Sequence, residues 1–216
     1  MLDLTGKTAL ITGASSGIGE EFAHEMARRH TNLVLVARSR DKLEALSDEL
    51  VEAHGVRVDV VTADLTEPDA PAHVFAAVDR LGIHVHALVN NAGFGTYGQF
   101  EIQDPETESR EISLNVLALV QLTRLFAPAM LARREGLVIN IASSAGFVPT
   151  PYMATYGATK AFVIRFSEAL WAEFEGRGVQ VKVLCPGYTR TGFHNEIPNT
   201  PASAKWPRPR SSSSPA

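Results

Sequence analysis

Six short apolar runs rich in β-branched residues, at positions 8–11, 33–37, 56–61, 85–89, 137–141 and 179–184, punctuate this chain at wide intervals. Most are continuously apolar rather than alternating, which is the pattern of strands covered on both faces. The segments between them, 20–29, 42–53, 72–81, 112–134 and 155–176, carry helical spacing instead. Strand and helix alternating this many times demand right-handed crossovers and an open parallel sheet. The predicted architecture is α/β, doubly wound, with three layers α/β/α.

Two of the helical segments hold more apolar surface than one sheet face covers. In 112–134, Val116, Leu117, Leu119, Val120, Leu122, Leu125 and Phe126 leave little of the helix polar on any side. In 155–176 the same is true of Ala161, Phe162, Val163, Phe166, Leu170, Trp171 and Phe174. A helix apolar nearly all round is buried on more than one side. The second cover is either a large monomeric core or a symmetry mate. Closed homodimers being common, the expectation is a homo-oligomer through these two helices.

Composition narrows the function classes. With 216 residues, 45% of them hydrophobic, the chain has ample apolar mass for one domain. A net charge of −4 leaves no electrostatic footprint for nucleic acid or anionic lipid. Cys185 is the single cysteine, so an intrachain disulfide and a thiolate metal site are excluded. His84 and His86 alternate on one strand face without a third ligand near them in sequence, and no metal is expected. The first residues, MLDLTGKTALITG, lack the basic-then-apolar layout of a signal peptide, and the apolar runs are shorter than the ~20 residues of a bilayer span. The expectation is a cytoplasmic protein with no membrane partner. After His194 the composition shifts to Pro and Ser, so residues 1–194 are read as one domain and 195–216 as a disordered tail.

The chemistry begins after the first strand, in Thr12-Gly13-Ala14-Ser15-Ser16-Gly17-Ile18-Gly19. Glycines at 13, 17 and 19 permit a tight turn and bring backbone N–H groups toward a pyrophosphate at a helix N-terminus. The spacing is G-x-x-x-G-x-G rather than the common G-x-G-x-x-G, and a glycine-rich turn alone is weak evidence; its place after strand one strengthens it. At the end of strand two, Ala37 stands where a carboxylate would hold the ribose 2′-hydroxyl of NAD, and Arg38 follows. A guanidinium there pairs with a 2′-phosphate, favouring NADP(H) over NAD(H), the other reading being a solvated arginine. Farther on, Tyr156 and Lys160 are four apart on a helix and share a face. An ammonium beside a phenol stabilises the phenolate, which would bring the tyrosine toward general acid/base use. Ser143 lies at the C-terminal end of a strand, where open α/β sheets bind ligands.

Taken in order, these motifs resemble the short-chain dehydrogenase/reductase family. The resemblance covers about residues 5–194 and adds Asp64-Leu65, Asn90-Asn91-Ala92-Gly93, Asn115, the Tyr156-Gly157-Ala158-Thr159-Lys160 box, and Pro186-Gly187 with Thr189 and Thr191. It implies a Rossmann-like fold and a catalytic set of Asn115, Ser143, Tyr156 and Lys160, with Ser144 the adjacent rival for the serine role. In this family the tyrosine protonates the carbonyl oxygen, the serine hydrogen-bonds it, the lysine also holds the nicotinamide ribose, and the asparagine positions a water for proton relay. The cofactor contacts implied are Gly13, Ser15, Ser16, Gly17, Ile18, Gly19, Arg38, Asp64, Leu65, Asn91, Ala92, Gly93, Tyr156, Lys160, Pro186, Gly187, Thr189 and Thr191, with Asn90 on the adenosine side. Substrate-facing candidates are Phe94, Tyr97, Phe147 and Tyr188, within a mostly apolar set that extends over 147–153.

Family members continue past the Pro-Gly segment through a lid and a seventh strand, where this sequence has Trp206-Pro207-Arg208-Pro209-Arg210 and serines. The expectation is that the last strand and the substrate lid are lacking and the ending is truncated. Two functions follow. One is an NADP-dependent oxidoreductase reducing a carbonyl, or oxidising the matching alcohol, of a small hydrophobic molecule. The other is a catalytically impaired nucleotide-binding or interaction protein.

Overall fold

The computed structural model describes residues 3–187. The predicted tail, Tyr188, Thr189 and Thr191, and the expected loss of lid and last strand all lie outside the described residues.

Six parallel strands, β1 (Thr8–Thr12), β2 (Asn32–Ala37), β3 (Val58–Thr62), β4 (Val85–Asn90), β5 (Gly136–Ile141) and β6 (Val179–Leu184), form one sheet in the order β3-β2-β1-β4-β5-β6. The expected doubly wound sheet is thus the observed one. Successive strand residues serve opposite faces. Leu10, Val34, Val36 and Leu88 join one core with Val74, Leu122, Phe126 and Met130, while Ala9, Ile11, Leu33 and Leu35 join another with Ala23, Met26, Leu43 and Leu50. Helices α1 (Gly17–Arg28) and α2 (Arg40–His54) cover the second face; α3 (Ala70–Arg80), α5 (Leu119–Arg133) and α6 (Ala154–Phe174) cover the first.

Strand three starts two residues later than predicted. Gly55, in the left-handed conformation at φ 64°, caps α2, and Val56 is spent filling the core on the way to the sheet.

The larger departure is a helix the hydrophobic pattern does not reveal. Residues 105–133 run as one helical stretch: α4 (Pro105–Ile112), a π-helical turn (Ser113–Ala118), and α5. Asp104 caps its start by accepting from the Glu106 and Thr107 amides at 3.4 and 3.0 Å, with Pro105 at the first turn. By length and mean hydropathy alone this stretch could cross a membrane; here Leu122, Phe126 and Met130 pack into the core on the sheet.

The switch point of the strand order falls between β1 and β4, where the connections leave toward opposite faces of the sheet and a crevice opens. Thr12 ties the two ends together. Its hydroxyl accepts the Asn91 and Ala92 amides, each at 3.0 Å, and donates to the Val89 carbonyl at 3.3 Å.

Candidate active site

The crevice is a cavity of about 1240 Å³ along the C-terminal edge of the sheet. One end is lined by Gly13, Ser15, Ser16, Gly17 and Ile18, with Arg38, Asp64 and Leu65 beside them. Asn91, Ala92 and Gly93 form its middle. At the far end stand Ser143, Tyr156 and Lys160, with Phe94, Phe147, Pro186 and Gly187 around them. Nearly all the site residues named from the sequence and described here are thus gathered in one place.

Four have other positions. Gly19 is buried in α1, where a Cβ would lie 2.3 Å from the Gly13 carbonyl oxygen, so it lets the helix pack on the loop. Asn115 is buried behind the cavity wall, and Tyr97 packs against the cluster of Ala145, Met153 and Tyr156. Asn90 points away altogether, donating to Thr123 Oγ1 at 3.0 Å and Asn140 Oδ1 at 2.9 Å in the core.

The residues present fit a dinucleotide. Gly13 has φ 65°, and a Cβ there would meet Asn91 Nδ2 at 2.8 Å, so the loop lies as close to the crevice floor as a glycine permits. Ser16 occupies the N-cap of α1 without a side-chain cap, leaving the positive helix end to a ligand anion. Asp64 is held below the usual carboxylate range: burial works against its charge, but the Thr66 amide at 3.0 Å and hydroxyl at 2.8 Å, with Arg38 and Arg110 nearby, outweigh it. Lys42, Thr107 and Arg110 also line this end and escaped the sequence reading. Lys42 lies in the first turn of α2, four residues after Arg38, a basic spacing that could have disclosed it.

At the reactive end the geometry is set from below. Asn115 Nδ2 donates to the Phe94 carbonyl at 2.8 Å and to Thr159 Oγ1 at 3.1 Å, while its Oδ1 accepts the Phe94 amide at 3.1 Å. The π-helical turn, a feature frequent at functional sites, is what carries Asn115. Lys160 is 5% exposed; its Nζ donates to the Ile141 carbonyl at 3.0 Å and lies 5.7 Å from the centroid of the Tyr156 ring. Ser143 hydrogen-bonds the Tyr156 hydroxyl, and its Oγ also accepts the Ala145 amide at 3.2 Å. Ser144 is exposed on the same wall.

The expected lowering of Tyr156 by Lys160 is not what this geometry gives. Burial pushes the phenol up, Ser143 draws it down, and the charge of Glu111 pushes it up again. The Lys160 ammonium meanwhile donates to the Ile141 carbonyl. Burial brings Lys160 itself down to about 8, with Glu111 and Cys185 opposing. Glu111, a fully buried carboxyl no motif pointed to, is raised by burial to about 7.

Comparison with known proteins gives the family. A family profile described as short chain dehydrogenase matches residues 7–202. The chain belongs to the short-chain dehydrogenase family. Very-long-chain 3-oxoacyl-CoA reductase of Anas platyrhynchos is 37% identical over 191 residues, 86% of this chain and 61% of that one. The 17-beta-hydroxysteroid dehydrogenase type 3 of Rattus norvegicus is 38% identical over 84% of this chain and 59% of its own. The chain therefore spans about three-fifths of the length of these curated relatives. Among solved structures, a short-chain dehydrogenase from Sphingobium yanoikuyae in complex with NADPH superposes with a TM-score of 0.83 at 41% identity, covering 89% of this chain and 77% of that one.

Because Lys160 is neutral below its unfolded-state value, the unfolded chain holds the extra proton between about pH 8 and 10.5. Stability from this group therefore climbs as pH rises across that window. Lys160→Met is expected to raise the free energy of unfolding at pH 7 by on the order of 2 kcal/mol, with the gain shrinking toward pH 10.5. Urea titrations of both proteins at several pH values check this; a variant less stable at pH 7 contradicts it.

Proposed function

We propose that this chain is an NADP(H)-dependent oxidoreductase that reduces the carbonyl of a small hydrophobic molecule, or oxidises the matching alcohol. The observation that carries the reading is the convergence of Ser143, Tyr156 and Lys160 on one end of a cavity whose other end is a glycine loop at a helix N-terminus. NADPH would lie along the crevice and supply the hydride. Gly13, Ser15, Ser16, Gly17 and Ile18 would hold its phosphates, Asp64 and Leu65 the adenine, and Arg38, with Lys42 beside it, the 2′-phosphate.

The chain's own part is proton delivery and orientation. Ser143 and Tyr156 both hydrogen-bond the carbonyl oxygen, stabilising the charge that grows there as the carbonyl carbon is reduced. The Tyr156 O–H then breaks and its proton completes the alcohol. Lys160 restores the phenol, and Asn115 keeps the Phe94 backbone and α6 in register around it. Apolar Phe147 and Val148 at the mouth, 62% and 59% exposed, suit a hydrophobic substrate. Relatives named for 3-oxoacyl-CoA and 17-beta-hydroxysteroid chemistry support a bulky apolar carbonyl.

The two long helices support self-association as part of the same proposal. Each buries one side on the sheet, yet Leu117, Phe162 and Trp171 stay exposed. A homo-oligomer through this face would cover them. Light scattering is expected to show more than one copy, and Trp171→Glu to dissociate it; a monomeric wild type ends this part of the reading.

Purified protein is expected to oxidise NADPH with aromatic or long-chain ketones, and Tyr156→Phe to lose a hundredfold or more of that rate, roughly the scale of general acid catalysis, while still quenching with NADPH. Cofactor binding with no turnover on any carbonyl would make the chain a nucleotide-binding or interaction protein instead. Arg38→Ala is expected to weaken NADPH about tenfold or more, as loss of a charge-assisted contact does, with NADH affinity unchanged. Equal loss for both nucleotides would remove Arg38 from 2′-phosphate recognition.

A further inference from the structure

The last turn of α4 places a second ionisable group behind the reactive end of the cavity. Glu111 is 0% exposed. Its Oε2 accepts the Thr96 hydroxyl at 2.8 Å, while Oε1 is buried without a hydrogen-bond partner among the described residues. A carboxyl buried this way costs stability, and an apolar side chain of similar volume would fill the space without that cost.

What surrounds it gives the carboxyl a role. Asn115 follows four residues later, through the π-helical turn. Thr96 belongs to the loop that packs on the reactive tyrosine: a Cβ at Gly95 would lie 2.8 Å from Tyr156 Cδ2. The charge of Glu111 acts on both Tyr156 and Lys160. The other charged or titratable groups here are Glu108, on the same helix and bonded by the Thr155 hydroxyl at 2.5 Å, and Cys185, which acts on Lys160 from beyond β6.

We propose that Glu111 is a positioning residue, a buried carboxylate whose negative charge keeps Tyr156 as phenol and Lys160 as ammonium. The role rests on the oxidoreductase reading above. An anion near a phenol disfavours phenolate, and near a lysine it favours the ammonium. Both effects load the pair with protons, which is the state that carbonyl reduction consumes: the phenol O–H breaks, the proton goes to the substrate oxygen, and the phenolate left behind is reprotonated through Lys160. At Tyr156 the charge of Glu111 acts directly, in the same sense as burial. Burial lifts Glu111 to about 7, against the pull of the Thr96 hydrogen bond and Lys160. The bias toward reduction therefore grows as pH rises through neutrality.

Glu111→Gln keeps the shape and an acceptor for Thr96 but removes the charge. The alkaline limb of kcat/KM for reduction, and the rising limb for alcohol oxidation, are both expected to move acidward by about half to one pH unit. Thr96→Val, which removes the donor that favours the charged form, is expected to move them the same way by less. A merely structural Glu111 would change kcat or the unfolding midpoint and leave the limbs in place. The apo chain gives a readout independent of turnover: the 13Cζ resonance of Tyr156, assigned with Tyr156→Phe, is expected to titrate at lower pH in Glu111→Gln than in wild type. If no carbonyl is reduced by wild type the functional reading fails, and this titration still decides the charge effect. Coincident tyrosine curves in wild type and both variants, or an alkaline shift, overturn the proposal.

Discussion

The grip of Asn115 on the Phe94 backbone is the contact on which the reactive end depends. Amide and carbonyl of one residue are both taken by a single side chain, whose nitrogen also reaches Thr159 on α6. Three elements are thereby joined: the segment after β4, the π-helical turn and the helix that bears Tyr156 and Lys160. Space at the junction is tight, since a Cβ on Gly93 would meet Asn115 Oδ1 at 2.8 Å and Lys160 Nζ at 3.4 Å. Apolar packing could not set these angles, because it has no direction; paired hydrogen bonds buried from water do.

A second polar set performs the same service deeper in the sheet. Asn90 bonds Asn140 across β4 and β5, and Asn140 Nδ2 reaches Ser167 on α6 at 2.9 Å. The Ser167 hydroxyl in turn donates to the Val163 carbonyl at 2.6 Å. Strand-to-strand register and the seating of α6 are therefore fixed together. The Tyr156 helix is anchored at Thr159 and again two turns on at Ser167.

Much of this was legible in the sequence, for identifiable reasons. Continuous apolar runs disclosed the parallel strands, since a strand covered on both faces has no polar side to show. Glycines 13 and 17 and the Tyr156–Lys160 spacing disclosed the site because each meets a local demand, a close approach or a shared helix face. What escaped lacks a local signature. The helix from Pro105 has an Asp104 cap and a proline start, but its polar composition, PETESREI, hides it from a hydrophobic pattern. The π-helical turn leaves no period to read. Glu111 looks like another surface glutamate until the loop of Thr96 folds over it.

The same blindness applies to ionisation. From spacing alone, Lys160 beside Tyr156 implies an easily formed phenolate. The folded chain instead buries both and sets a carboxylate near them, and burial is the largest influence on each. Desolvation raises an acid and lowers a base, so the phenol is harder to ionise and the ammonium easier to discharge. The two proton affinities, nearly equal in exposed side chains, are thereby drawn apart, with the phenol now holding its proton more tightly than the ammonium. In the proposed reaction, transfer from the Lys160 ammonium to a phenolate left at Tyr156 is correspondingly downhill, which favours restoring the phenol. Burial at the end of the sheet thus sets these two affinities, and any acid/base use of the pair starts from values that spacing alone does not give.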